Sequence, residues 1–115
     1  MWIMVSGPYR SGSADPAVWA ANRRAMDEAA LAVFRAGHVP VIGVDVALPL
    51  IEIAGEAAYD GIMMPLSLAL ADRCDACLRI GGPSVGADQE AERFRALGRP
   101  VYRDLAEIPA TGSVE

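Results

Sequence analysis

The residues best suited to chemistry run from Gly81 to Glu90, Gly-Gly-Pro-Ser-Val-Gly-Ala-Asp-Gln-Glu. A glycine-rich turn here leaves a strand pattern and enters a helix pattern. Backbone N–H groups at a helix start are free to hold a phosphate or a sugar hydroxyl. Ser84 adds a hydroxyl, and Gly86 opens the helix pattern. Glu90 follows about one turn into the helix, so its carboxylate can point back toward the same ligand. A carboxylate beside a bound sugar can attack the anomeric carbon as the leaving group departs. A glutamate near a helix N-terminus also complements the helix dipole without further role. The residues by themselves leave both readings open.

Alternating strands and helices must position this segment. Trp2 to Val5 reads as a buried strand, stopped by Ser6-Gly7-Pro8, with a loop from Tyr9 to Ala14. Asp15 then Pro16 is a helix start, and Met26, Ala29, Ala30 and Val33 carry the spacing of one helix face. Gly37 closes that helix. Val39 to Gly43 reads as a second strand. Val44 to Ala54 is apolar without clear period and reads as a loop or short helix packed on the core. A second helix is expected from about Glu56 to Cys74, with Pro65 as a point of interruption. Asp75 to Ile80 is a third strand, Gly86 to Leu97 a third helix closed by Gly98, and Pro100 to Tyr102 a fourth strand. Asp104 to Ile108 is a final helical turn, and 111–115 a frayed tail. The pattern predicts a single α/β domain over 1–110, a three-layer Rossmann or flavodoxin-like fold with a parallel sheet of about four to five strands. Ligands in such sheets bind beyond the carboxyl ends of the strands. That rule selects two loops, Ser6 to Gly12 and Gly81 to Val85.

Composition narrows the function. The 115 residues carry a net charge of -5 and no basic stripe, which argues against nucleic acid as a partner. No apolar run reaches the ~18 residues of a membrane helix, and Met1 to Val5 lacks the basic region of a signal peptide. The expectation is a cytoplasmic protein with no membrane contact. Cys74 and Cys77 form a C-x-x-C pair. A redox pair sits at a helix N-terminus, whereas this one precedes a strand. No second pair or nearby His completes a zinc site, so the cysteines read as small buried residues. His38, after Gly37, reads as a capping or surface residue, and Asp75 as a cap for the strand it opens. Arg23, Arg24, Arg93 and Arg95 read as solvated helix faces. Met63 and Met64 read as core or subunit interface.

Ser84-x-Gly86-x-x-x-Glu90, followed by Ala96-Leu97-Gly98-Arg99-Pro100-Val101, resembles the nucleoside 2-deoxyribosyltransferase-like superfamily. That superfamily includes the 2′-deoxynucleoside 5′-monophosphate N-glycosidases. Cys74-Asp75-Ala76 and Ser84 to Glu90 are similar to the runs found in its small members, and the likeness extends back to Ile3-Met4-Val5-Ser6-Gly7-Pro8-Tyr9. The resemblance implies that Glu90 is the nucleophile and that the ester it forms is released by water or a second base. It implies that Ser6, Gly7, Pro8, Tyr9, Arg10, Ser67, Ser84, Gly86 and Ala87 contact a nucleoside or nucleotide, with no metal or other cofactor. Tyr9 would line the base pocket, as in nucleoside-acting members. Arg10-Ser11-Gly12 resembles the loop of nucleotide-acting members. Arg10 suits a phosphate, and suits a solvated loop position equally.

Two positions depart from the family pattern. Catalytic members carry an Asp where this chain has Ser67, and a serine cannot do a carboxylate's acid–base work. Several hydrolases carry Gly where this chain has Asp88, and a carboxylate there is expected to repel a phosphate or raise the pKa of Glu90. A non-catalytic nucleotide-binding or sensing module is therefore a second reading. A third is the cytokinin-riboside phosphohydrolase group, whose Gly-Gly-x-Gly-Thr-x-x-Glu run is similar to Gly82 through Glu90 but has Thr in place of Ala87. Family members assemble, and the second helix is apolar nearly all round (Ile62, Met63, Met64, Leu66, Leu68, Leu70). The expectation is a homodimer or larger homo-oligomer.

Overall fold

The computed structural model describes residues 1–110; the tail expected over 111–115 lies outside them. Four strands form one parallel sheet: β1 (Trp2–Ser6), β2 (Val39–Val41), β3 (Ala76–Arg79) and β4 (Val101–Tyr102), in the order β2-β1-β3-β4. Four helices connect and cover them: α1 (Pro16–Arg35), α2 (Gly43–Ala54), α3 (Tyr59–Ala71) and α4 (Val85–Ala96). The α/β class and the parallel four-stranded sheet are those expected from the alternation of patterns.

The two-residue period of β1 divides the core. Ile3 and Val5 join Ala76 and Leu78 of β3 in one cluster with α1 and α2, through Met26, Val33, Ala47 and Ile51. Met4 and Cys77 face the other way, into a cluster with Ala91 and Phe94 of α4. A strand buried on both faces reads as a near-continuous apolar run, as Ile3-Met4-Val5 does. Strand order reverses between β1 and β3, because β1 connects outward to β2 and β3 outward to β4. Their carboxyl ends, Ser6 and Arg79, are paired in register. That point is where open α/β sheets leave a crevice for ligands.

Three boundaries differ from expectation. β2 stops at Val41 and Gly43 already begins α2, because Val44, Ala47 and Ile51 form a buried helical stripe. The segment from Val44 to Ala54, left open between loop and helix, is thus helical. The second expected helix does not start at Glu56: Glu56–Ala58 is a separate 3-10 turn after Gly55, whose φ is 100°. From Tyr59 the helix runs unbroken through Pro65. The carbonyl that Pro65 crowds belongs to Gly61, one turn earlier in the helix. Asp15 caps α1 as expected, accepting from the Ala17 N–H. The expected turn near 104–108 is a 3-10 turn, Leu105–Glu107, with a capping box from Asp104 and Glu107.

Candidate functional site

The turn between β3 and α4 is built tightly. Gly81 has φ 77°, and a β-carbon there would lie 2.7 Å from Cδ of Pro8. The two loops expected to form the site are therefore pressed together, with Pro8 as packing. Ser84 is the N-cap of α4, its Oγ accepting from the Ala87 N–H at 3.1 Å. Arg79, at the end of β3 and 5% exposed, braces the turn from beneath. It donates to Asp88 at 3.1 Å, to the Gly82 carbonyl at 2.8 Å and to the Ile80 carbonyl.

Glu90 departs from the ordinary rule for a glutamate. Ala87, Glu90, Ala91 and Phe94 form the buried stripe of α4, so a carboxylate occupies a core position. It makes no ion pair among the described residues. Burial pushes its pKa above the usual carboxylate range, opposed by hydrogen bonding from Ser6, by the neighbouring Ser67 hydroxyl and by the charge of Arg79. Ser6 in turn accepts a weak bond from the Cys77 thiol at 3.5 Å. Ser6 and Ser67 are both buried, and Ser67 Oγ lies outside good hydrogen-bond geometry to any described partner. It favours the charged carboxylate by proximity and dipole rather than by a formed bond. The start of α2 closes over this group. A β-carbon on Gly43 would fall 2.1 Å from Ser67 Oγ and 3.3 Å from Glu90 Oε2.

Above the carboxylate opens a cavity of about 530 Å3, within the range of small-molecule sites. Gly7, Tyr9, Arg10, Ser67, Ser84, Gly86, Ala87 and Glu90 all line it, so most of the expected site residues meet in one place. Ser6 lies behind Glu90 and Pro8 beneath Gly81, neither on the lining. Sequence reasoning missed Val44, Tyr59 and Asp60 on the wall, and Gly43 and Arg79 as supports. An arginine ending an otherwise apolar strand was the available signal for Arg79. Arg10 pairs with Glu56, Nη2 to Oε1 at 3.1 Å and a second, shorter contact through Nη1. It also rests over the rings of Tyr59 and Trp19. It is therefore not a solvated loop cation.

Asp88 does not perturb Glu90 as expected. Two residues apart on a helix point about 200° apart, so Asp88 faces outward and pairs with Arg79. His38 is buried rather than at the surface, with Nδ1 2.9 Å from the Met1 nitrogen and Nε2 2.7 Å from the Pro109 carbonyl. Asp75 caps the strand region as expected, accepting from the Trp2 N–H at 2.8 Å. Arg23 and Arg93 do more than solvate helix faces: they pair with Asp45 and Asp72, each on another element or its edge. Burial pushes the thiols of Cys74 and Cys77 up to about 11, which suits packing and not thiolate chemistry. Met63 joins the core, and both Met63 and Met64 touch the cavity. No protein-family model matches the chain, and no curated protein is significantly similar to it.

Proposed function

We propose that this chain is a member of the nucleoside 2-deoxyribosyltransferase-like superfamily that cleaves or transfers the N-glycosidic bond of a nucleoside or nucleoside 5′-monophosphate. The observation that carries the reading is Glu90. Burying a carboxylate is costly unless it is paired or used, and this one has hydroxyl neighbours at the floor of a cavity. A raised carboxylate pKa in a cleft marks a functional group. The chemistry balances without a metal or redox cofactor. A Glu90 oxygen bonds to the anomeric carbon, the bond to the base nitrogen breaks, and its electron pair leaves with the base, which takes a proton. Water, or the nitrogen of a second base, then attacks the same carbon and releases Glu90. The Ser6 hydroxyl favours the charged form of the carboxylate, and the first N–H groups of α4 receive the sugar. The expected cytoplasmic location belongs to this proposal.

Base release tests it. The wild type, mixed with a panel of nucleosides and 5′-monophosphates, should liberate free base detectable by chromatography, and Glu90→Ala should not. Binding without release would favour the second reading, a nucleotide-sensing module. The observation behind that reading is Ser67 in place of the family carboxylate.

The proposal includes a homo-oligomer, with a change in which helix carries the interface. The apolar residues of α3 are half-buried within the chain, whereas Val46, Leu50 and Ile53 form an exposed stripe along α2. Ile53 is 88% exposed. Light scattering at micromolar concentration should give at least a dimer, and Ile53→Asp should shift it toward monomer. A monomeric wild type would remove this part of the proposal.

A further inference from the structure

Arg10 is the only arginine, lysine or histidine on the cavity lining among the described residues, which also includes the carboxylates of Asp60 and Glu90. Its two terminal nitrogens are already engaged. Both terminal nitrogens donate to Glu56, from the 3-10 turn between α2 and α3. Its central carbon lies 3.8 Å from the centre of the Tyr59 ring and 4.1 Å from that of Trp19. Its Nε is buried without a partner. An arginine recognises a phosphate through the planar fork of its terminal nitrogens, and here a carboxylate occupies that fork. Arg79 does not compensate, because it is off the lining and committed to Asp88 and two carbonyls. The N-terminus of α4 remains, with its Ala87 N–H taken by Ser84. Its first N–H groups fit a neutral sugar hydroxyl. A phosphate dianion there would lie in the field of Asp60 and Glu90 with no unpaired cation to offset them.

We propose that the cavity selects the unphosphorylated nucleoside over its 5′-monophosphate, with the Arg10–Glu56 pair as the discriminating element. The inference rests on the nucleoside reading of the site given above. Glu56 acts as a built-in competitor: it fills the place that a phosphate would take on Arg10, and it does so from a turn anchored by Tyr59. Removing its charge should release the arginine for a phosphate without altering the floor of the cavity.

Titration calorimetry on the full chain, with a purine and a pyrimidine nucleoside and the 5′-monophosphate of each, tests this in the wild type and in Glu56→Gln. Glu56 is exposed, so the variant should fold, which circular dichroism verifies. In the wild type each nucleoside should bind at least about tenfold more tightly than its monophosphate, a gap of ~1.4 kcal/mol. In Glu56→Gln that gap should narrow severalfold through tighter monophosphate binding. Wild-type monophosphates binding as tightly as nucleosides would overturn the selectivity and leave the Glu90 reading intact. An unchanged gap in Glu56→Gln would overturn the role of the ion pair. No binding of either class at millimolar ligand would overturn the nucleoside reading itself, and this inference with it.

Discussion

Replacing Gly43 by alanine adds one methyl group at the point where α2, α3 and α4 converge. Gly43 is the first residue of α2, so alanine there gains only part of the ~1 kcal/mol advantage that it has over glycine in a helix interior. At Gly43 the new carbon would lie 2.1 Å from Ser67 Oγ, 2.9 Å from Ser67 Cβ and 3.3 Å from Glu90 Oε2. The first two distances are far inside contact, and they belong to a short side chain that cannot swing aside. Overpacking of this kind costs about 1–3 kcal/mol, so the net change should be a loss of roughly 1–2 kcal/mol after the helix gain is subtracted. That corresponds to a fall in melting temperature of roughly 5–10 °C for a domain near this size. Gly61 of α3 is the control, because a β-carbon there meets nothing within 4 Å. Gly61→Ala should be neutral to stabilising, by up to about 1 kcal/mol. Urea denaturation of both variants and of Gly43→Ala/Ser67→Gly completes the experiment. The double variant should recover part of the Gly43→Ala loss beyond additivity, with a coupling of roughly 1 kcal/mol. A Gly43→Ala protein as stable as Gly61→Ala would refute the close approach of α2 to the carboxylate.

Two further predictions concern protons. The folded-state pKa of Glu90 is raised above the ordinary 4.5, so its contribution to stability is fully present below about pH 4.5 and is lost as pH rises through the folded value. Glu90→Gln should therefore gain stability relative to the wild type between acid and neutral pH; parallel urea curves at pH 4 and pH 7 with no relative gain would contradict the burial. Asp27 of α1 is raised to about 6, first by hydrogen bonding to Asp45 of α2 and then by burial. Its stabilising effect should be lost as pH rises through about 6; carboxyl carbon NMR should place its midpoint there, and a midpoint near 4 would sink the shared-proton contact.

How much of this was readable beforehand depended on whether the relevant contacts were local. Ser84, Gly86 and Glu90 could be placed because a cap and a carboxylate one to two turns later are fixed by helix geometry alone. Asp88 lies two residues from Glu90 on the same helix, but neighbours in sequence are not neighbours in space there, and it pairs with Arg79 instead. The Arg10–Glu56 pair spans 46 residues, and no local pattern predicts which loop a long side chain will reach. Gly43 reads as the last residue of the second strand, yet it begins α2, whose buried stripe of Val44, Ala47 and Ile51 turns the segment helical. His38 followed a helix-closing glycine and read as a surface cap, yet both ring nitrogens are held by distant backbone groups. The outward face of α2 was hidden for a related reason. Composition marked α3 as the greasy helix, but the chain itself covers most of α3 and leaves Ile53 of α2 in water.

Ser67 and Gly43 are best understood as a matched pair. The position that carries a carboxylate in the resembling enzymes here carries a side chain short enough for α2 to start directly against it. A longer acid at 67, oriented as the serine is, would collide with the backbone at Gly43. The floor of the site is thereby left with one carboxylate rather than two, so Glu90 avoids the like-charge repulsion that a second acid would impose. Asp60 is the only other carboxylate on the lining among the described residues. It lies seven residues from Ser67 along α3, a rise of roughly 10 Å, and so stands well away from Ser67 on the cavity wall. On the proposed chemistry, the proton needed by the departing base then comes from water or from the base's own surroundings. Catalysis through Glu90 alone would favour substrates whose bases leave readily, and base release in the substrate panel should rank by leaving-group ability rather than by base size.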